Sequence, residues 1–101
     1  MLYLLVLKNT IDSGKELRVL EWHKKEGDLC AQGILLVELE SYKAVIEIRV
    51  AHEAFLRKIL VPVGERQALG KPIAVLSDSL DEEIPRSFAT LQEMAVEYLF
   101  M

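Results

Sequence analysis

The chain has 101 residues, the length of one domain, and is 51% hydrophobic and 28% charged, a balance that suits a soluble globular fold able to bury its own core. Its 16 acidic and 12 basic side chains give a net charge of −4. With no basic stripe to displace counterions, nucleic acid is not an expected partner. The single cysteine, Cys30, excludes an intrachain disulfide and fits a reducing, cytoplasmic setting.

The first 76 residues read as short strands separated by turn signals. Residues 2–7 are β-rich and apolar, but Lys8 ends the run far short of a membrane span or signal core, so no membrane is expected as a partner. Residues 9–14 form a loop closed by Asp12, Ser13 and Gly14. Residues 17–24 alternate, and Glu26-Gly27-Asp28 marks a turn. Residues 34–39 and 44–50 are the next strands. In the second of these, Val45, Glu47 and Arg49 oppose Ala44, Ile46, Ile48 and Val50, a period of two with one apolar face. A strand at 55–61, a turn at Gly64 and a strand at 73–76 follow. Many short strands at this spacing predict a sandwich or small barrel.

Beyond residue 77 the character changes. Ser79 and Glu82 are spaced like a capping box in an acidic joint, and Pro85 suits a first helical turn. Phe88, Leu91, Ala95, Tyr98 and Leu99 make a helical stripe, which predicts an amphipathic helix over 85–100. Such a helix would cover its own domain, or dock to a partner or to a second copy in a homodimer. The expected division is therefore 1–77 for the β domain and 78–101 for joint and helix.

Within the β region an internal repeat emerges. Gly27 and Gly33 recur 37 positions later as Gly64 and Gly70; Ala31 maps onto Ala68, Leu36 onto Ile73 and Leu39 onto Leu76. One strand-turn-strand copy cannot bury its apolar face alone, whereas two copies facing each other can. Two small antiparallel sheets related by a pseudo-twofold axis are expected, with the glycines at turns that need φ > 0. The 41–44 turn then lies between the copies and projects from one end, with Lys43 at its tip.

In order and spacing, Trp22, Lys25-Glu26-Gly27-Asp28, Gly33, Glu40, Lys43-Ala44, Glu47-Ile48, Lys58-Ile59, Gly64 and Pro72-Ile73-Ala74 resemble the lipoyl/biotinyl-attachment domain family. Within it the chain looks most like the lipoyl domains of 2-oxo acid dehydrogenase acyltransferases, and the match covers residues 2–77. The resemblance implies a flattened barrel–sandwich hybrid of two four-stranded antiparallel sheets, here with the C-terminal α-helix added. It implies lipoic acid bound covalently to Lys43, with Glu40, Ser41, Tyr42 and Ala44 as recognition residues near the tip. The function it implies is a swinging-arm carrier without catalytic groups of its own. Such a carrier shuttles acyl or aminomethyl groups between active sites of a multienzyme complex. The implied partners are a lipoate ligase or lipoyl transferase and dehydrogenase-complex enzymes. A biotin carrier for carboxyl transfer and an unmodified lipoyl-like interaction module are the alternatives.

The chain departs from the family in three places. Tyr42 precedes the lysine where acyltransferase domains carry Asp; Glu-Ser-x-Lys-Ala is instead similar to the H protein of the glycine cleavage system. Biotin domains present Met-Lys-Met, which Tyr-Lys-Ala is not. Ala54 stands where the family has a glycine, and the loop from Lys8 to Lys15 is longer than the family's. Elsewhere, Cys30 reads as a buried, inert thiol. His23 and His52 lack metal-ligand spacing, so no metal is expected. Glu38, Glu40 and Glu47 read as solvent-side strand residues rather than an acid/base pair, and Trp22 as a core or sheet-surface anchor.

Overall fold

The computed structural model describes residues 1–8, 15–42 and 44–101. The loop expected at 9–14 and Lys43 lie outside the described residues. The strands are β1 (Leu2–Val6), β2 (Glu16–Trp22), β3 (Leu29–Cys30), β4 (Leu35–Glu40), β5 (Val45–Val50), β6 (Ala54–Ile59), β7 (Arg66–Ala68), β8 (Pro72–Ser77), β9 (Gln92–Glu93) and β10 (Val96–Phe100). They form two five-stranded sheets, ordered β3-β6-β8-β1-β9 and β10-β5-β4-β2-β7. The period-two pattern turns Ile46, Ile48 and Val50 of β5 inward, where they meet Leu36 and Leu39 of β4, Leu5 of β1, Leu56 of β6 and Leu76 of β8, all fully buried. Truncating one of these large side chains to alanine costs about 2–5 kcal/mol.

The register carries the internal repeat into three dimensions. In β3–β6, Leu29 pairs with Phe55 and Cys30 with Ala54; in β7–β2, Arg66 pairs with Arg18 and Gln67 with Leu17. Each partner has moved by 37 positions, one forward and one back. The turns follow suit. Gly27 N–H donates to Leu56 O at 2.7 Å and Gly64 N–H to Val19 O at 2.8 Å, while Leu56 N–H and Val19 N–H donate to Asp28 O and Glu65 O. Each copy therefore ties its turn to a strand of the other. Gly27 and Gly64 have φ of 95° and 87°, Gly33 and Gly70 of 84° and 85°, a backbone that an L side chain adopts only at a cost.

The expected C-terminal helix is absent among the described residues, and each sheet has five strands where four were expected. Both corrections have one cause: the tail supplies the fifth strand of each sheet. β9 lies parallel to β1, with Tyr3 opposite Gln92 and Leu4 opposite Glu93. β10 lies antiparallel to β5, from Val96 opposite Val50 to Phe100 opposite Ile46. Between them Met94 N–H donates to Leu4 O of one sheet at 2.7 Å, and Ala51 N–H of the other donates to Ala95 O at 3.0 Å. Met94 is buried and closes the core along this side. Upstream, Ile84, Phe88 and Leu91 pack on Leu2, Leu4, Val6 and Val75 on the outer face of the first sheet. A helix would have buried its stripe and left the outer edges of β1 and β5 unpaired. Val96, Tyr98 and Phe100 favour strands over helices, and an isolated helix of this length is marginal in water. Edge pairing decides the outcome.

Ala54 is a buried residue of β6 rather than part of a left-handed turn, and no non-glycine residue has positive φ among the described residues. The glycine found there in the family is not needed by this backbone. No helix among the described residues is long and apolar enough to cross a membrane.

Candidate functional site

β4 and β5 pair down to Glu40 opposite Val45, and the chain reverses in the next four residues. The reversal is held by its first and last members. Ser41 N–H donates to Ala44 O at 2.8 Å. The Ser41 hydroxyl also donates to Ala44 O (3.1 Å) and accepts from Ala44 N–H (3.2 Å). A serine at the head of a tight turn does this because its short side chain reaches the backbone that it starts. Ser41 and Ala44 are half-buried, Glu40 is exposed, and Tyr42 is 81% exposed. Four of the five tip residues expected from the sequence, Glu40, Ser41, Tyr42 and Ala44, are thus brought together; Lys43 follows Tyr42 and precedes Ala44 in the chain.

The tip has a neighbour that sequence reasoning missed. β10 runs up β5 towards the turn, and Met101 N–H donates to Val45 O at 2.8 Å. A shallow hollow there is lined by Glu40, Ser41, Tyr42, Ala44, Val45 and Met101. Both strands of the lysine hairpin are therefore inner strands of the sheet, with β10 covering the edge that β5 would otherwise present. The available signal was the alternation of Val96, Tyr98 and Phe100, which the helical stripe obscured.

Away from the tip, the remaining candidates fall into place. Trp22 anchors the sandwich, its indole N–H donating to Val61 O at 2.9 Å. Cys30 is fully buried, and that burial raises its thiol pKa, so a reactive thiolate is disfavoured. Glu38 and Glu47 face each other across β4–β5, and Glu21 faces Glu38 across β2–β4. His52 stacks edge-on against Tyr3, with ring centroids 5.0 Å apart.

A family model described as biotin-requiring enzyme, covering biotin and lipoyl domains, matches residues 9–76. Three similar curated proteins are dihydrolipoyllysine-residue acetyltransferase components of pyruvate dehydrogenase complexes. The one from Rickettsia felis is 35% identical over 79 residues, 77% of this chain and 18% of its own length. The mitochondrial one from Caenorhabditis elegans is 37% identical over 62 residues, 60% of this chain and 12% of its own. The one from Zymomonas mobilis is 40% identical over 60 residues, 58% and 14% of the two chains. The chain spans less than a fifth of the length of these relatives.

Proposed function

Because the chain belongs to the biotin/lipoyl attachment family, we propose that it is a lipoyl carrier domain, modified on Lys43, that shuttles acyl groups between the active sites of a 2-oxo acid dehydrogenase complex. The observation that carries this is the tip: a tight turn whose described hydrogen bonds run between Ser41 and Ala44, with Tyr42 exposed, and whose sequence has Lys43 between Tyr42 and Ala44. Lipoyl is preferred to biotinyl on two grounds. The similar proteins are dihydrolipoyllysine acetyltransferases, and the tip reads Tyr-Lys-Ala rather than Met-Lys-Met.

The surroundings suit an arm joined through an amide. The described hydrogen bonds of the turn run between Ser41 and Ala44, so neutralising a lysine between them leaves those bonds intact. The paired strands β4, β5 and β10 hold both ends of the turn in register and so define the proposed point of attachment. When bound, lipoic acid supplies a disulfide that can be reduced and loaded with an acyl group; the chemistry belongs to the enzymes that the arm visits. The domain's own contribution is tethering, which raises the effective concentration of the arm at each site. A lipoate ligase or lipoyl transferase is the implied modifying partner.

Co-expression with a lipoate ligase, followed by intact-mass measurement, tests the proposal. One lipoyl addition on the wild type and none on Lys43→Arg is the expected result. An unchanged wild-type mass points to an unmodified module, and a biotinyl increment to a biotin carrier; either overturns it.

A further inference from the structure

On the solvent-facing side of the lysine-bearing sheet, three carboxylates stand in one row. Glu21 of β2 faces Glu38 of β4, which faces Glu47 of β5. Like charges directly opposite each other oppose sheet formation. Glu47 is partly neutralised by Arg49, 3.6 Å away. The other two carboxylates turn to a single atom: Nε2 of His23 lies 2.7 Å from Glu38 Oε1 and 3.1 Å from Glu21 Oε2. We propose that Glu21, His23 and Glu38 form a binding site for a divalent transition-metal cation of the zinc type.

Three observations favour a cation over a simple ion-pair cluster. First, both carboxylates address the same ring nitrogen. That nitrogen carries at most one hydrogen and cannot serve both acceptors fully, whereas a cation among the three atoms would be ligated by all of them. Second, the spacing is close to what such an ion needs. All three ligand atoms lie within 4.8 Å of one another, and bonds of about 2.0–2.2 Å place ligand atoms roughly 3.3–3.5 Å apart in a tetrahedral shell. Modest side-chain movements suffice, and the strands supply fixed anchor points; His23 N–H is itself held by Leu36 O at 2.9 Å. Third, the fold does not require the cluster. The repeat places Lys58, Leu60 and Val75 at the equivalent positions of the other sheet, 37 residues on from Glu21, His23 and Glu38. There Leu60 and Val75 lie in the apolar layer that the tail covers.

The ligand set also states a preference among metals. One imidazole and two carboxylates suit zinc and its neighbours, while calcium and magnesium favour all-oxygen shells of higher coordination number. With three protein ligands and Glu21 exposed, the fourth position is left to water. Sequence spacing concealed the site because Glu38 reaches His23 only through the β2–β4 register, 15 positions away.

Titrating Zn²⁺ into the full chain by calorimetry, with Mg²⁺ as comparison, tests this. The expected result is one saturable zinc site per chain, no matching magnesium site, and affinity at least tenfold weaker in both His23→Ala and Glu38→Gln. Zinc should also shift the His23 ring resonances in the NMR spectrum. Absence of saturable zinc binding in the wild type reduces the cluster to an ion pair and overturns the site. Undiminished affinity in both variants, with circular dichroism showing that they fold, places any bound zinc elsewhere and overturns it equally.

Discussion

Single residues do distinct work at the tip and at the turns. Ser41 and Ala44 set the shape of the reversal; Tyr42, exposed and one position before Lys43 in the chain, stands where the acyltransferase domains that this chain resembles carry Asp. Tyr42→Asp should therefore leave stability and lipoylation unchanged and alter only the rate of reductive acylation by a cognate decarboxylase, read as kcat/KM. At the turns, Gly64→Ala meets no atom within 4 Å of the added Cβ but holds φ at +87°. Its cost is purely conformational, about 1–2 kcal/mol, measurable as a lower urea midpoint at constant m-value. The glycine positions were legible in the sequence because a repeat with glycines at matching places implies matching turns. Ala54 was not, since whether a family glycine is needed depends on a backbone angle that one sequence does not reveal. The convergence on His23 was hidden for the same kind of reason, being a product of strand register.

Among the elements, the tail is where sequence and structure part. Residues 85–100 satisfy a helical wheel, yet the segment first lies flat on an apolar sheet face and then completes both sheets. Apolar residues three and four apart fit either outcome. The preference for strands in β10 and the unpaired edges of β1 and β5 tip the balance, and unpaired edges are invisible until the sheets exist. Met94 makes the tail's structural role testable. It is buried in the main core between β9 and β10, so Met94→Ala should cost about 2–5 kcal/mol. A surface helix side chain would lose far less. Removing residues 92–101 should go further, exposing both edges and producing concentration-dependent association in size-exclusion chromatography. Lys8 and Glu93, 3.0 Å apart, also connect tail to body. Both are about half-exposed, so solvent screens the pair and Lys8→Ala should leave the melting temperature nearly unchanged.

At the scale of the molecule, the two copies exchange hydrogen bonds through their turns, so neither can complete itself alone. A single cooperative unfolding transition is expected, with coincident curves from tryptophan fluorescence and far-UV circular dichroism. Its pH dependence is set at the alkaline end. Burial raises the Cys30 thiol above its usual value near 9 and the Tyr98 phenol above its usual value near 10. The unfolded chain therefore ionises these groups first. The stability tied to their neutral forms is intact below the unfolded values and is lost as pH rises through the folded ones. The melting temperature should fall above about pH 9, less steeply in Tyr98→Phe, which removes one of the two groups; that variant also loses the bond from Tyr98 OH to Val6 O.

The twofold body has a second end. There Asp78 N–H donates to Met1 O at 3.1 Å, the counterpart of Ser41 N–H donating to Ala44 O. Leu2 pairs with Ser77 just as Val45 pairs with Glu40. One of the two equivalent ends is bridged by the 41–44 turn, and at the other Met1 and Asp78 are joined only by a hydrogen bond, with the chain running on from Asp78 into the tail that completes both sheets. On the proposed function, a scaffold that is symmetric in its strands would be monovalent in its cargo: one bridging turn, one lysine for attachment, and one arm per domain. A complex that needs more arms must add more domains.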